Sequence, residues 1–586
     1  MKIRSRVISS LLVCLWGAIA GAATFSFAEN AQGANSELAQ LADVPAVVDC
    51  ASLAKADIST VVGAKVTILS ASKVQDGKPA PYCLVSGNIE PHIGFEVRLP
   101  LTHWTQRFLE GGCGGLCGSM NLGLSDPTWK SCLPATNGEL VVAITDMGHS
   151  DSRENEMGFQ VATTDYQSRI DFAYRGQHLT VLAAKALTQL YYGQTPRYSY
   201  FVGCSDGGRE ALMESQRFPN DFDGIIAGDA ALNFVTQNTF FQEWINHTNA
   251  GADGKAILTR AKAAILHQAV LDKCDGSDGL KDGVISDPPG CHFDPTVTLC
   301  KQGQDPSKCL TQAQVKVAQE LYLGAHDSEG NKLIAGGEPL GSEVSWVEGE
   351  GDEAPGVSPI ANSVYQKVVF ETPLPETASI RNLKYDRETF NLITKLHPLY
   401  DASDPDLTPF ASHGGKLIIF HGLTDGGMPP LMSVAYYTAV QQFIGKSKAD
   451  QFLRLYLFPG GNHCSGGVGA FNVDLLTPLM TWVETGKAPY RLVASHKPSD
   501  SRLGPPGQSA APGDEKVDFT RPVYPYPVTT KYSGTGDPND AKNFVEGPVS
   551  AASPESLKWL GSTLYTPHYQ VWCTGHGASM TCEKNP

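Results

Sequence analysis

Basic patches and long apolar runs are both scarce in this sequence. The 586 residues include 45 Lys and Arg against 61 Asp and Glu, a net charge of −16, with no basic run or stripe. A densely anionic partner such as nucleic acid is therefore not expected. After the N-terminal region no stretch is long and apolar enough to span a bilayer. The length predicts more than one domain.

The N-terminus has the pattern of a targeting segment. Basic residues at positions 2, 4 and 6 precede an apolar run over 7–23, and Ser-Phe-Ala at 26–28 offers a cleavage site. A retained anchor is the alternative, but the small and hydroxyl residues in the run favour cleavage. We therefore predict a signal peptide over 1–28 and a secreted or periplasmic protein, with no membrane contact after its removal.

The number of cysteines is odd once the predicted signal peptide is removed. The chain has 14 cysteines, and removal of Cys14 leaves 13. In an exported protein most of these should form disulfide bonds, and at least one should be free or intermolecular.

The residues from 198 to 218 have the pattern of a strand, a sharp turn and a helix. A β-rich run over 198–202 leads into Gly203-Cys-Ser-Asp-Gly, which fits G-x-S-x-G, and a helical segment over 209–218 follows. In a nucleophile elbow the flanking glycines allow the tight turn and the serine, here Ser205, stands exposed at its tip. A plain glycine-rich turn is the alternative.

Buried-type strands and helices alternate around this turn. Strands are expected over 139–145, 224–229, 416–420 and 452–458, with a long helix over 169–192. This alternation predicts an α/β fold with a parallel sheet. It is interrupted over 231–403, which we interpret as an inserted lid domain. The hydrolase domain would then comprise 29–230 and 404–586, and its Pro-, Gly- and Ser-rich tail after 495 is expected to wrap over the surface.

Partners for an elbow serine follow the two late strands. An α/β-hydrolase has its nucleophile, acid and histidine in that chain order. Asp425 follows the strand over 416–420, and His463 follows the strand over 452–458. We therefore predict a Ser205–His463–Asp425 triad in an α/β-hydrolase fold. The rival histidine, His421, ends a strand and is expected to be a packed, hydrogen-bonded residue.

Two cysteines adjoin two of the predicted catalytic residues. Cys204 directly precedes the serine and Cys464 directly follows the histidine. In an exported protein a disulfide between them would hold the nucleophile loop against the base loop.

A glycine-rich loop follows an early strand over 107–118. It lacks the Lys-Ser/Thr ending and the directly following helix of a phosphate-binding loop. Backbone amides that stabilise an oxyanion are a better use of it.

These motifs resemble those of the tannase and feruloyl esterase family, which includes mono-hydroxyethyl terephthalate hydrolases. The similarity runs over about 45–545 and includes Gly-Cys-Ser-Asp-Gly-Gly-Arg-Glu from 203 and Gly-Asn-His-Cys-Ser-Gly-Gly from 461. It implies a serine carboxylesterase with a lid inserted between nucleophile and acid. It also implies that Gly114 and Asp206 supply the oxyanion-hole amides.

A second cluster of acidic residues lies in the expected lid. Asp275, Asp278 and Asp282 share a glycine-rich loop whose spacing is not that of an EF-hand. Carboxylates this close suit Ca²⁺, and a set of Asp-Gly turns is the alternative. The resemblance implies a structural calcium site that also uses the carbonyls of Leu280 and Val284. No organic cofactor is expected.

The remaining cysteines are assigned in part. Cys274 and Cys291 are placed to bracket the acidic loop, and a tail disulfide between Cys573 and Cys582 is expected. The resemblance further implies the pairs Cys50–Cys83 and Cys300–Cys309. Three cysteines stay open, and one pair among them would leave a free thiol near the glycine-rich loop; they are Cys113, Cys117 and Cys132.

The expected function is hydrolysis of aromatic acyl esters, such as feruloyl or galloyl esters, through an acyl-enzyme. One alternative is hydrolysis of terephthalate monoesters or other aryl esters. Met428, which stands where the terephthalate enzymes can use an aromatic residue, argues against it. The other alternative is a non-catalytic, calcium-stabilised binding protein, which the complete triad disfavours.

Overall fold

A computed structural model describes most of the chain. It covers residues 37–120, 129, 131–149, 165–347, 356–501, 516–550, 552–553 and 555–584. The predicted signal peptide lies outside these residues. In the part that is described, no helix combines the length and the apolar character needed to cross a membrane.

A nine-stranded sheet forms the centre of the fold, in the order β1-β2-β3-β5-β4-β6-β7-β8-β9. The pairs β1–β2, β2–β3 and β3–β5 are antiparallel, and the remaining pairs are parallel. Strand bounds are β1 Val66–Val74, β2 Tyr82–Ile89, β3 Ile93–Pro100, β4 Arg107–Gly111, β5 Leu140–Thr145, β6 Tyr198–Cys204, β7 Gly224–Gly228, β8 Lys416–Gly422 and β9 Leu453–Phe458.

Helices cover both faces of this sheet and fill the segment between β7 and β8. Their bounds are α1 Ser59–Val62, α2 Leu133–Thr136, α3 Tyr166–Ile170, α4 Gly176–Tyr192, α5 Asp206–Arg217, α6 Phe234–Thr236, α7 Gln242–Asn249, α8 Arg260–Cys274, α9 Gln312–Leu323, α10 Pro359–Lys367, α11 Arg387–Ile393, α12 His397–Tyr400, α13 Thr408–Ser412, α14 Pro430–Ile444, α15 Lys446–Ala449 and α16 Leu476–Thr485.

The central parallel strands are apolar on both sides because both of their faces are covered. All five residues of β7 are buried. Ile225 belongs to one hydrophobic cluster and Ile226 to the other, as alternation along a strand requires. The sheet therefore separates two cores, and its carboxyl edge is left for loops that carry polar residues.

The chain between β7 and β8, residues 229–415, is called the inserted segment below. Its described residues form helices and turns and none of the named strands. This agrees with the break in alternation seen in the sequence, although the domain boundaries themselves remain a prediction.

Two expected elements differ in detail. The helix expected over 169–192 is interrupted by a π-helical turn at Asp171–Arg175, so that α4 begins only at Gly176. The tail also contains regular structure rather than a simple extended wrap. It forms three two-stranded antiparallel sheets from β10 Leu492–His496, β11 Phe519–Val523, β12 Val528–Tyr532, β13 Phe544–Val549, β14 Val571–Gly575 and β15 Met580–Lys584.

Candidate active site

Ser205 lies between the last residue of β6 and the first residue of α5. Its backbone has φ 64° and ψ −120°, a conformation that a non-glycine residue adopts only under strain. The amide of Ser205 donates to the carbonyl of Gly228 at 2.9 Å, which ties the turn to the neighbouring strand β7. The strained turn therefore has the geometry expected of a nucleophile elbow.

Two glycines make this turn sterically possible. A Cβ on Gly203 would lie 2.2 Å from the carbonyl oxygen of Gly207, and a Cβ on Gly207 would lie 2.9 Å from that of Cys113. Both contacts are with backbone atoms, which cannot move aside cheaply. The G-x-S-x-G pattern is thus required by close packing of the elbow on itself and on the loop after β4.

Asp425 and His463 are joined by a hydrogen bond at the carboxyl edge of the sheet. The Nδ1–H of His463 donates to Asp425 Oδ2 at 2.7 Å. The other carboxylate oxygen of Asp425 accepts the amides of Gly427 at 2.7 Å and Met428 at 3.0 Å. This arrangement fixes the imidazole with Nε2 as its free nitrogen.

The charges of this pair shift both pKa values. Burial alone would lower the pKa of His463, but the Asp425 carboxylate outweighs it and raises that pKa to about 9. Burial would likewise raise the pKa of Asp425, yet His463 and His421 hold it well below its ordinary value. The carboxylate therefore stays ionised across the neutral range.

A disulfide bond joins Cys204 to Cys464, with their Cα atoms 5.9 Å apart. Ser205 and His463 each lie one residue from this bond, although 260 residues separate the two cysteines in sequence. The covalent link thus holds the loop of the serine against the loop of the histidine.

Two backbone amides are available near Ser205. Asp206 is the first residue of α5, so its amide has no acceptor within the helix. In the loop after β4, Gly112 donates to the Val202 carbonyl and Cys113 donates to Glu210. Within the described structure the next amide, that of Gly114, has no hydrogen-bond acceptor, and a Cβ there would meet open space.

Buried ionisable side chains support these amides from behind. The carboxylate of Asp206 forms a bidentate pair with Arg209, at 2.7 and 2.9 Å. Glu210 accepts hydrogen bonds from Cys113 and from the side chain of Gln177. Cys113 also forms a disulfide with Cys117, which closes the loop.

Asp229 is a residue of the site that the sequence analysis did not identify. Asp229, just after β7, is fully buried and accepts the amides of Gly422 at 2.8 Å and Cys464 at 3.2 Å. Burial raises its pKa to about 6. It therefore connects the ends of β7 and β8 to the histidine loop. A buried strand that ends in aspartate was the available signal.

His421 is packed and hydrogen-bonded as expected, but it also adjoins the acid. Its Nδ1 is 2.7 Å from the Ser433 hydroxyl, and its Nε2 is 3.1 Å from the Met428 carbonyl oxygen. The same Nε2 lies 3.3 Å from Asp425 Oδ2 and 3.5 Å from Asp229 Oδ1. Although burial lowers the pKa of His421, these two carboxylates raise it overall.

The acidic loop in the inserted segment lies elsewhere. Asp275 and Asp278 are buried just after the end of α8. Burial raises the pKa of Asp278, and the charges of Asp282 and Asp275 add to this shift. Asp275 accepts hydrogen bonds from the amides of Asp282 and Gly283. Asp278 accepts from the amide of Leu280 and from the hydroxyl of Ser286. Asp282 accepts from the amide of Val284 and forms an ion pair with Arg521 at 2.6 Å. The three carboxylates have one basic partner, Arg521, and offer only oxygen atoms as metal ligands. Oxygen ligands suit a hard cation such as Ca²⁺.

Some potential metal-ligating side chains lie closer together than those of the acidic loop. Within the described residues, such groups occur only around the turn at Ser205. They are Cys113, Cys117, Asp206 and Glu210; Cys204, Asp229 and Cys464; and Asp229, His421 and Asp425. The cysteines of the first two groups are in disulfides, so these groups offer no thiolate.

The other disulfides join the cysteines that the sequence placed together. These pairs are Cys50–Cys83, Cys274–Cys291, Cys300–Cys309 and Cys573–Cys582. Cys132 is the free cysteine of the described chain. It does not lie by the glycine-rich loop as expected, but beside Met480 in the opposite core, where burial raises its pKa to about 12. This thiol is therefore inert at neutral pH.

The parallel strand order, the strained turn between β6 and α5, and the acid and histidine that follow β8 and β9 define an α/β-hydrolase. A family model described as tannase and feruloyl esterase matches residues 78–546. The chain belongs to this family.

Individual relatives agree with this assignment. The chain is 30% identical over 548 residues to the mono(2-hydroxyethyl) terephthalate hydrolase of Piscinibacter sakaiensis, covering 82% of this chain and 88% of that protein. It is 30% identical over 472 residues to a probable feruloyl esterase of Arthroderma benhamiae, with coverages of 78% and 83%. The crystal structure of feruloyl esterase B from Aspergillus oryzae superposes with a TM-score of 0.69 at 25% identity, covering 85% of this chain and 99% of that one.

Proposed function

We propose that the protein is a secreted serine carboxylesterase that hydrolyses aromatic acyl esters of the feruloyl or galloyl type. The observation that carries this proposal is the 2.7 Å Asp425–His463 hydrogen bond, covalently tied through Cys464 and Cys204 to the strained turn at Ser205. A base oriented by a carboxylate, on a loop tied to that of a half-buried serine, is the arrangement that activates a serine hydroxyl.

The reaction has two halves. His463 Nε2 takes the proton of Ser205 Oγ as that oxygen attacks the ester carbonyl, and the resulting imidazolium is stabilised by Asp425. Collapse of the tetrahedral intermediate expels the alcohol, which takes the proton from His463, and leaves an acyl-enzyme. His463 then activates water, which releases the aromatic acid and restores Ser205.

The negative oxygen of each tetrahedral intermediate would be stabilised by the amides of Gly114 and Asp206. This is supported by the lack of an acceptor for either amide within the described structure, and by the hydrogen bonds that hold the neighbouring Cys113 and the Asp206 side chain. Donors fixed in advance lower the barrier because they need no reorganisation as charge develops.

The substrate class is supported by the relatives. Feruloyl esterase B of Aspergillus oryzae and the probable feruloyl esterase of Arthroderma benhamiae carry names that specify an aromatic acyl ester. Terephthalate monoesters are the second candidate, favoured by the similarity to the Piscinibacter sakaiensis hydrolase.

A structural calcium ion is part of the proposal. Asp275, Asp278 and Asp282 with the carbonyls of Leu280 and Val284 would hold it, and it would offset the repulsion among three carboxylates in one short loop. The ion would supply stability, not chemistry. Secretion, with removal of residues 1–28, is supported by the six disulfide bonds.

The test is the Ser205→Ala variant assayed on methyl ferulate, methyl gallate and mono(2-hydroxyethyl) terephthalate. We expect kcat/KM to fall by roughly 10⁴-fold or more on every ester that the native enzyme cleaves. Ser215→Ala is the matched control, since Ser215 is a buried serine of α5, the helix that Ser205 precedes, and its hydroxyl donates to the Leu212 carbonyl of that helix. A folded Ser205→Ala protein with native turnover would refute the nucleophile, and a native enzyme inactive on all three esters would refute the substrate class.

A further inference from the structure

The side chain of Glu210 lies against the Cys113–Cys117 disulfide bond. It belongs to α5, one turn after Asp206, and is 1% exposed. Its Oε1 lies 2.7 Å from Cys113 Sγ and 3.2 Å from Cys117 Sγ. Its Oε2 accepts the amide of Cys113 at 3.1 Å and the side-chain amide of Gln177. Each oxygen of this buried carboxyl group therefore has partners of its own.

The partners of Glu210 Oε1 indicate that this oxygen carries a proton. The sulfur atoms of a disulfide have no hydrogen, so they can only accept a hydrogen bond. An ionised carboxylate also only accepts, and its oxygen would then face Cys113 Sγ at 2.7 Å with no hydrogen between them. A neutral carboxyl group removes this conflict, because Oε1–H donates to sulfur while Oε2 still accepts both N–H groups.

Burial and charge favour the same protonation state. Burial raises the pKa of Glu210 well above its ordinary value, and the charge of Asp206 adds to the shift, although Arg209 opposes it. Asp206 is already ion-paired with Arg209 at 2.7 Å. A second negative charge here would lie beside Cys113, whose neighbour Gly114 is one of the two expected oxyanion donors. It would oppose the negative oxygen that those donors stabilise.

Glu210 also connects the two sides of the proposed oxyanion hole. On one side, Asp206 is the first residue of the helix that carries Glu210. On the other side, the amide of Cys113 that Glu210 accepts directly precedes that of Gly114. The disulfide closes a ring over residues 113–117, in which the amide of Cys117 donates to the Gly114 carbonyl at 3.1 Å. One buried side chain thus fixes the loop of one donor amide to the helix of the other.

We propose that Glu210 acts as a neutral acid that positions the Gly114 amide relative to the Asp206 amide, by accepting from Cys113 and donating to the disulfide. It is a positioning residue, because it acts through the amides of other residues. This role rests on the proposed esterase function, since an oxyanion hole is needed only where a tetrahedral intermediate forms.

Steady-state kinetics of two Glu210 variants on methyl ferulate, methyl gallate and mono(2-hydroxyethyl) terephthalate test this role. Glu210→Gln keeps one acceptor oxygen and one N–H donor, so kcat should stay within about threefold. Glu210→Leu removes both and should lower kcat about tenfold or more with KM within about threefold, because the oxyanion is stabilised only as it develops. Affinity for an arylboronic acid, whose tetrahedral adduct on Ser205 mimics the intermediate, should also fall about tenfold or more.

Glu214 provides the matched control. It is a buried glutamate of α5, one turn beyond Glu210, and neither of its carboxyl oxygens has a hydrogen-bond partner within the described structure. Glu214→Gln and Glu214→Leu should therefore keep native kcat and boronate affinity. If Glu210→Leu fails to fold, as judged by circular dichroism, Cys113→Ala/Cys117→Ala tests the same loop from its other side and should lower kcat and boronate affinity together.

Infrared difference spectroscopy tests the protonation state directly. The spectrum of the native protein minus that of Glu210→Gln at neutral pH should contain the carbonyl stretch of a neutral carboxyl group, and a carboxylate band in its place would refute the neutral acid. Native kcat and boronate affinity in Glu210→Leu, or equal losses in Glu210→Gln and Glu210→Leu, would overturn the positioning role while the esterase function stands. A native enzyme that cleaves none of the three esters would instead refute the proposed function, and this role with it.

Discussion

Three buried acidic residues around Ser205 each accept at least one backbone amide. Asp425 accepts two amides of its own loop, Asp229 accepts amides from two other loops, and Glu210 accepts that of Cys113. Because these carboxyl groups are buried, each amide both offsets desolvation and fixes a loop. These buried acidic side chains therefore also hold the backbone of the site in place.

The pKa of His463 predicts the pH dependence of the reaction. In the proposed mechanism Ser205 is activated only when His463 is neutral, and Asp425 raises the pKa of that histidine to about 9. Below this pH the fraction of neutral base falls about tenfold per unit. We expect the acid limb of the kcat/KM profile to lie near pH 9, well above the value of about 6.5 for an unperturbed histidine. Initial rates from pH 5 to 10 on a pH-stable ester measure it.

His421 supplies the control for this prediction. Its Nε2 lies 3.3 Å from Asp425 Oδ2 and 3.5 Å from Asp229 Oδ1 and so competes with His463 for the negative charge of these carboxylates. His421→Gln should therefore move the limb further toward alkaline pH. His397→Gln removes a comparable buried histidine, which pairs with Asp401, and should leave the limb in place. A limb near pH 6.5 in the native enzyme, or one that His421→Gln does not move, would contradict this account.

Among the elements, the ends of parallel strands carry the chemistry. β6, β7, β8 and β9 finish side by side, so the residues that follow them meet although they are far apart in sequence. The segment after β7 is long, but its first residue, Asp229, accepts the amides of Gly422 and Cys464. The disulfide Cys204–Cys464 joins the residues that follow β6 and β9. The site is therefore built from strand ends that are tied to one another.

The Cys204–Cys464 bond should matter more for turnover than other disulfides. In Cys204→Ala/Cys464→Ala the two loops are freed to drift, and a misplacement of about 1 Å can lower the rate on the order of 100-fold. The cross-link closes a loop of 260 residues, so its loss should also cost up to about 5 kcal/mol of stability. Kcat and the denaturant midpoint of the double variant measure the two effects.

Cys573→Ala/Cys582→Ala is the matched control, since it removes the disulfide of the β14–β15 hairpin in the tail. It should keep native turnover. If both double variants behaved alike, the bond beside the serine would have no special role in positioning.

The acidic loop gives a prediction about metal. If it binds calcium, chelation leaves three mutually repelling carboxylates and should lower Tm by a few degrees, and Asp278→Asn should lower Tm and abolish the response to chelator. Melting with and without EDTA, together with elemental analysis, checks this. Asp305→Asn, at an exposed helix cap, should respond as the native protein does. Purified protein without calcium and an unchanged Tm under EDTA would exclude the site.

At the scale of the whole molecule, the C-terminal tail packs against α5 and the inserted segment. Arg217 of α5 donates to the carbonyl of Val571, and its guanidinium lies 4.3 Å from the ring centre of Tyr174 and 5.5 Å from that of Trp572. The hydroxyl of Tyr569 donates to the carbonyl of Asp401 in the inserted segment. The last residues thus connect the nucleophile helix with the inserted segment.

Truncation after residue 566 should therefore destabilise the protein strongly. It removes the rings of Tyr569 and Trp572 and leaves the buried Arg217 without one of its acceptors, which together should cost roughly 3 kcal/mol or more. Urea unfolding of the truncated and native proteins measures the difference. A truncated protein of native stability would show that the tail only lies on the surface.

Short-range patterns in the sequence by themselves determined the elements and the candidates for chemistry. A strand and a tight turn are local properties, so the sequence shows the apolar runs of β6 to β9 and the glycines at 203 and 207. The order of Ser205, Asp425 and His463 can likewise be read directly along the chain. Only the tertiary structure decided which distant groups meet. The place of His421 between Asp425 and Asp229, the position of Cys132 in the opposite core and the contact of Glu210 with the Cys113–Cys117 disulfide all follow from strand order and packing. Contacts of this kind join residues far apart in the chain, and no local pattern of residues encodes them.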